Sequence, residues 1–412
     1  MWACIRRGAT EVGGSCVELV TDGGRLVLDL GLPLSAAPDE AVSLPPVPGL
    51  VGGDAEDLVG LVLSHAHLDH YGLLDQVQAK VPTFAGQATA RILREAAFFS
   101  PAGAELDLAG VLADRVPLRI GPFTVTPRLA DHSAYDAYTV VVEAGGRRLL
   151  YTGDLRAHGR KRSFAQLLAD PPGVDAVLFE GTRIGRSSAG ETTSEAGVEE
   201  RLVELAVGTP GALLVFSAAQ NIDRLVSAYR ASRRSTRTLV VDLYTASMAR
   251  ATGRPTIPQP GFSDLRVYVP QRQRVLVKRS GQVERVQGIG GARLFMEKIV
   301  STPSQFVLLA QASTLPELAK AGALADAAAV WSMWHGYLKQ PSGRRLVTRL
   351  ADADVALSHV HASGHAGEQD LRKLAHALAP ARMVPIHTAA PERYAETFER
   401  VVPQPDGHWW EV

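Results

Sequence analysis

Ser64-His65-Ala66-His67-Leu68-Asp69-His70 decides how this chain is read. It follows Leu58-Val59-Gly60-Leu61-Val62-Leu63, a short apolar run that predicts a buried strand. The histidine-rich stretch therefore sits at the C-terminal end of a strand, where α/β folds place their chemistry. Imidazole nitrogen and carboxylate oxygen both suit Zn²⁺ and similar divalent ions. In an extended segment His65 and His67 point the same way, leaving Asp69 and His70 to turn toward a second ion. The chain has 12 His in 412 residues, so a solvated loop holding three of them so closely is a poor alternative.

Working outward, the first 63 residues read as β-rich. Cys16 to Val20 and Arg25 to Asp29 are strands around an Asp22-Gly23-Gly24 turn. Asp29 ends the second, either as an ordinary strand-end cap or as a carboxylate that orients the histidine loop. Tyr71 to Lys80 and Gln87 to Phe99 have helical spacing. Phe123-Thr124-Val125 opens a further series of strands leading to the loop Ala130-Asp131-His132-Ser133. The strands at 138–143 and 148–151 lead to Thr152-Gly153-Asp154, and Ala176 to Glu180 is a strand ending in a carboxylate.

From about residue 183 strands and helices alternate, which predicts a second parallel-sheet unit. Helices are expected over 195–207, 221–233, 291–300 and 315–329, and strands over 212–216, 238–242 and 306–310. Residues 251–283, rich in Pro, Arg and Gln, read as irregular surface. A strand at 354–357 leads into Ser358-His359-Val360-His361-Ala362-Ser363-Gly364-His365. A helix over 368–378, a strand over 382–386 ending in His387, and a helix over 391–401 close the chain.

Composition sets outer limits. Apolar residues make up 46% and charged residues 21%, as in globular domains, and the formal charge is zero. Nucleic-acid binding would then need a local basic patch; Arg233, Arg234, Arg237, Arg272, Arg274, Lys278 and Arg279 are the candidates, with a solvated face as the plainer reading. Trp331, Trp334 and Tyr337 read as packing between the two parts more than as platforms for bases. The two cysteines, Cys4 and Cys16, cannot build a disulfide framework and fit a reducing, cytoplasmic setting. No run is long and apolar enough for a membrane span, and the N-terminus lacks the core of a signal peptide.

His65-x-His67-x-Asp69-His70 resembles the signature of the metallo-β-lactamase fold, an αββα sandwich of hydrolases that usually hold two metal ions. The interruption between Glu180 and His365 resembles the cap of the β-CASP branch, a group of nucleases that includes RNase J. The segment His361 to Ala366 is close to the bacterial RNase J form, and Phe216-Ser217-Ala218-Ala219-Gln220-Asn221 is similar to the cap's strand-to-helix turn. The resemblance implies a first metallo-β-lactamase part at 1–182, a β-CASP cap at 183–350 and a return at 351–412. RNase J carries a further domain after this core, which leaves homodimer formation and the balance of exo- and endonuclease action open.

By the same resemblance, His65, His67 and His132 hold one divalent ion. Asp69, His70 and His387 hold the other, Asp154 bridges both, and Asp29 supports the loop from behind. The ions implied are two Zn²⁺, with Mn²⁺ as the alternative. His365 is the general acid and Glu180 fixes its tautomer, unless the two form a merely structural pair. His361 and Ser363 bind a non-scissile phosphate. The implied activity is hydrolysis of single-stranded RNA, 5′ to 3′ with endonucleolytic cleavage, without a membrane partner. A DNA nuclease acting in repair, a nucleic-acid-binding protein with a decayed site, and a small-molecule hydrolase are the competing readings.

Overall fold

Trp2–Arg7 (β1) pairs antiparallel with Cys16–Thr21 (β2), and the turn after it, with Gly23 at φ 86°, returns the chain as Gly24–Leu28 (β3). That positive φ needs a glycine, which is why the Asp-Gly-Gly sequence makes the hairpin. Leu58–Val62 (β4), Thr83–Gly86 (β5) and Leu108–Leu112 (β6) then add parallel to β3 in turn. A second series follows: Leu118–Ile120 (β7), Phe123–Leu129 (β8), Tyr138–Ala144 (β9), Arg147–Tyr151 (β10) and Ala176–Glu180 (β11). These facts come from a computed structural model, which describes residues 1–36, 41–50, 55–77, 80–101, 103–186 and 194–412. No helix among the described residues is long and apolar enough to cross a membrane.

The chain divides into two units. The first comprises Met1–Ala157, Lys161–Ser187 and Gly364–Val412; the second comprises His158–Arg160 and Ser188–Ser363. The second unit supplies Leu213–Phe216 (β12), Thr238–Asp242 (β13), Leu265–Tyr268 (β14), Arg293–Leu294 (β15), Phe306–Ala310 (β16), Ala328–Trp331 (β17) and Ala356–His359 (β18). Arg382–Ile386 (β19) and Trp409–Glu411 (β20) return to the first.

In the first unit the sheets run β20-β1-β2-β3-β4-β5-β6 and β19-β11-β10-β9-β8-β7. Alternation along the strands sends one set of side chains inward from both sheets. Ile5, Val17, Leu19, Leu26 and Leu28 meet Val125, Val140, Val142, Leu149 and Leu178 in one core, all fully buried. The opposite faces are covered by helices. Val27 and Leu61 pack with Leu93 of the helix Gln87–Phe99, and Val141, Leu150 and Phe179 with Leu371 and Leu374 of the helix Glu368–Leu378. This is the four-layer αββα sandwich.

The second unit is a parallel sheet, β15-β14-β13-β16-β12-β17-β18, and its strands are near-continuous apolar runs because both faces are covered. Its interior holds the ion pair Arg224 with Glu195, both fully buried, with Arg224 also donating to the Ser332 carbonyl and hydroxyl. Removing one partner of such a pair costs about 3–5 kcal/mol, because the other charge stays in the core.

Several elements differ from expectation. Tyr71–Lys80 is not one helix: a single turn, Leu68–Tyr71, is followed by a 3₁₀ turn, Leu74–Gln76, and residues 78–79 lie outside those described. The 251–283 stretch contains β14 and the helix Gln271–Ser280, whose mostly polar sequence concealed its one buried residue, Val277. Residues 315–329 divide into the helix Leu315–Lys320 and the start of β17, and 291–300 keeps only the helix Met296–Ser301. The terminal helix shrinks to Tyr394–Thr397. Strand β18 pairs parallel with β17, so the second unit runs to Ser363 and not to 350. Trp331 packs into the second unit's own core, while Trp334 is half exposed.

Candidate metal centre

The loop after β4 is held by its neighbours before it can hold anything else. Asp29, at the exit of β3 with φ 58°, accepts four hydrogen bonds: from Ser64 N and Ser64 Oγ, from His70 Nδ1 and from Tyr151 OH, each at 2.7 Å. Gly31 is needed close by, because a Cβ there would lie 1.8 Å from the Asp69 carbonyl. The helical turn Leu68–Tyr71 then aims Asp69 at His387, while the His70 ring stays 4.1 Å from that of His65.

These bonds assign the imidazole tautomers. The Ser64 hydroxyl proton goes to Asp29, so at 3.0 Å its oxygen accepts from His65 Nδ1–H. His70 Nδ1–H donates to Asp29, and His132 Nδ1–H to the Gly364 carbonyl at 2.6 Å. All three therefore turn an Nε2 lone pair inward, as ligand histidines do. Gly364 allows that approach: a Cβ on it would meet Ser133 Oγ at 2.7 Å and His132 Cε1 at 3.1 Å. Behind His132 the fully buried pair Arg156 and Asp131, 3.1 Å apart, fixes the loop, and Asp136 anchors its far end to the backbone N–H groups of Ala88 and Thr89.

The ends of β4, β8, β10, β11 and β19, with the loop carrying His365, thus bring three groups of potential ligand atoms together, the atoms of each group within 4.8 Å of one another: His65, His67, His132 and Asp154; Asp69, His70, Asp154 and His387; and Asp154, Glu180, His365 and His387. Asp154 belongs to all three. Its Oδ2 lies 3.7 Å from His65 Nε2, 3.3 Å from His70 Nε2 and 3.8 Å from His132 Nε2. His387 Nε2 is 3.2 Å from Asp69 Oδ2, and its Nδ1 is 2.8 Å from the Thr182 hydroxyl. His365 Nδ1 lies 3.6 Å from Glu180 Oε1 and 3.8 Å from Asp154 Oδ2. Glu180 is itself fixed by the Thr182 N–H at 3.0 Å.

The residues fit divalent ions. His65 Nε2, His70 Nε2 and both Asp154 oxygens are buried without a well-formed hydrogen bond, a costly arrangement unless a cation satisfies them. The electrostatics agree. Burial, followed by neighbouring imidazoles, holds His65 and His132 well below the usual histidine range, and burial takes His67 to about 4, so all three are neutral at pH 7 as ligation requires. Burial pushes Asp69 upward, but the His387 bond and His70 outweigh it and hold the carboxyl at about 2. At Asp154 burial is likewise overcome, by His387, His70 and His365, and the carboxyl stays ionised. For His70 the balance reverses: burial opposes a charge, yet Asp154 and Asp29 raise its pKa well above normal, marking a place that calls for a cation.

Not every predicted residue lies in this cluster. Asp29, His65, His67, Asp69, His70, His132, Asp154, Glu180, His365 and His387 belong to the first unit, whereas His361 and Ser363 belong to the second. There burial takes His361 down to about 3, so it is a neutral imidazole, and the Ser363 carbonyl accepts from His158 Nε2 at 2.9 Å. Ser64, Tyr151 and Thr182, which orient the candidate ligand histidines or their supporting carboxylate, carry no signal in the sequence beyond standing next to the motifs.

Asp29→Ala should weaken metal affinity by about 10- to 100-fold, read by competition with a chromophoric chelator, because His70 loses its orienting partner. Tyr151→Phe, which removes a different donor to the same carboxylate, should change affinity far less. Equal losses in both would show that general packing around Asp29, and not the His70 bond, sets affinity.

Residues 31–217 match the Beta-lactamase superfamily domain. Ribonuclease J of Sinorhizobium meliloti is 23% identical over 81% of this chain and 58% of its own length. A Thermus thermophilus ribonuclease is 31% identical over 42% of each. Ribonuclease J of Mycolicibacterium smegmatis is 24% identical over 92% of this chain and 67% of its own. The chain thus spans 58% and 42% of the first two relatives' lengths. A solved structure of a protein of unknown function from Enterococcus faecalis V583 shares the fold, with TM-score 0.80 and 19% identity over 100% of this chain and 99% of that one.

Proposed function

We propose that the chain, whose residues 31–217 match the Beta-lactamase superfamily domain and which is similar to ribonuclease J proteins, is a metal-dependent ribonuclease that hydrolyses phosphodiester bonds of single-stranded RNA with two divalent ions. The observation that carries this reading is Asp154, the one carboxylate common to the His65/His67/His132 and Asp69/His70/His387 groups. The second unit is read as a β-CASP-type cap, and cleavage as 5′ to 3′ exonucleolytic with endonucleolytic action. Zn²⁺ is the ion these imidazole-rich groups favour, with Mn²⁺ as the alternative.

Bound there, such ions supply Lewis acidity toward phosphoryl oxygens and an ionised water at neutral pH. The chain's own residues do the rest. Asp29, Ser64, Thr182 and the Gly364 carbonyl hold the imidazoles with their lone pairs inward. His365, beside Glu180 and Asp154, is placed to give a proton to the departing ribose oxygen, and Glu180 keeps its ring oriented. His361 and Ser363 are assigned to a non-scissile phosphate of the same strand, His361 as a neutral donor.

Digestion of 5′-labelled RNA and DNA oligomers of one sequence, with 5′-phosphate or 5′-hydroxyl ends and added Zn²⁺ or Mn²⁺, tests the reading. RNA shortened from its 5′-phosphorylated end is the expected result. Preferential DNA cleavage would move the protein to the DNA nucleases, and absence of cleavage with metal bound would reject nuclease activity.

A further inference from the structure

The second unit has a charge asymmetry that the metal cluster does not use. From Arg250 to Lys298 there are ten Lys and Arg against three Asp and Glu, in a chain whose formal charge is zero. The structure sorts the cations that the sequence offers as one basic surface. Arg237 is buried and donates to the carbonyls of Thr209, Gly211 and Phe306. Arg234 pairs with Glu199 and Glu200, and Arg233 lies 3.6 Å from Asp264. Arg274 is held by Glu317 at 3.0 Å. Arg272, Lys278 and Arg279, on the exposed side of the helix Gln271–Ser280, have no carboxylate partner among the described residues. Arg272 and Arg279, seven residues apart, share one stripe of that helix.

A second feature adjoins this helix. Phe295 is 55% exposed, and the Arg293 guanidinium lies 4.7 Å from its ring centroid. Arg293, Phe295, Tyr268, Arg274 and Glu317 help line a cavity of about 170 Å³. It opens beyond the C-terminal ends of β14 and β15, the side on which parallel sheets receive ligands. Arg293 stands against the exposed ring, and the helix that carries the unpaired cations reaches the same cavity through Arg274; single-stranded nucleic acid requires charges that follow its phosphates and a face on which a base stacks. A duplex would keep its bases inside and leave Phe295 unused.

We infer that the helix Gln271–Ser280, with Arg293 and Phe295, is an auxiliary binding site for single-stranded RNA, in which the unpaired cations hold phosphates and Phe295 stacks on a base. The choice of RNA as the polyanion rests on the proposed ribonuclease activity; the site itself rests on charge and exposure in the second unit. It would raise affinity for long strands without taking part in bond cleavage.

The test uses the full metal-loaded chain and a fluorescent phosphorothioate oligouridylate of about 30 nucleotides, a length that spans several backbone contacts, with binding followed by anisotropy against salt. In R272Q/K278Q/R279Q, the slope of log affinity against log salt should fall by about 2, as loss of three single-strand phosphate contacts requires. Phe295→Ala should weaken oligouridylate binding about tenfold and leave inorganic polyphosphate binding unchanged. Both variants should hydrolyse bis-p-nitrophenyl phosphate as the parent does. An unchanged salt slope in the triple variant would overturn the inference, as would displacement of the oligonucleotide by polyglutamate at lower charge concentration than by unlabelled oligouridylate, which would mark a site for an acidic protein segment. Lost hydrolysis of the small diester would overturn it too, by placing these cations in the catalytic machinery. A parent that binds as described yet cleaves no RNA would refute the ribonuclease reading alone.

Discussion

Asp154→Ala is expected to lower RNA hydrolysis by about 10³-fold or more and to leave the purified chain with less than one bound ion. The size follows from what two ions contribute to charge stabilisation, several kcal/mol of the barrier at about tenfold in rate per 1.4 kcal/mol. Asp154 is the residue of choice because its oxygens face His65, His70 and His132 at 3.3–3.8 Å and its carboxylate belongs to every ligand group. Asp154→Asn keeps the shape and removes the charge, so a folded Asn variant with the same loss would assign the effect to ligation and not to packing. Two ions retained with full turnover in either variant would contradict the assignment.

His365→Ala is expected to slow RNA hydrolysis by about 10²- to 10⁴-fold, the range for a general acid, with both ions still bound. His365 Nδ1 stands 3.6 Å from Glu180, which is itself held by the Thr182 N–H. The leaving group separates the possible roles. A ribose alkoxide needs a proton as it departs and a p-nitrophenolate does not, so the variant should hydrolyse bis-p-nitrophenyl phosphate at close to the parent rate. Equal losses on both substrates, accompanied by loss of metal, would make His365 a ligand.

Much of the first unit was legible because its signals are local. The Asp22-Gly23-Gly24 turn, the alternation in Val17 and Leu19, and the apolar run before Ser64 each specify one element, and the order of Asp29, His65, His132 and Asp154 gives the loops at the strand ends. The supports were not legible. Tyr151 reaches Asp29, Thr182 reaches His387, and Gly364 offers a carbonyl to His132 only because strands far apart in sequence end side by side. The second unit was read less well for a different reason. Gln271–Ser280 buries a single side chain, so its helical period is barely visible among polar residues, and β18, expected as part of the return at 351–412, pairs with β17. The partners of the candidate basic residues were hidden in the same way, since sequence neighbours Arg233, Arg234 and Arg237 are neutralised or buried by residues distant in the chain.

The measurement closest to the central claim is the metal content of the full chain after saturation with Zn²⁺ and removal of free ion, determined by elemental mass spectrometry against protein mass. Two ions per chain are predicted, as two ligand groups joined through Asp154 require. One ion or none, from protein shown to be folded, would contradict it.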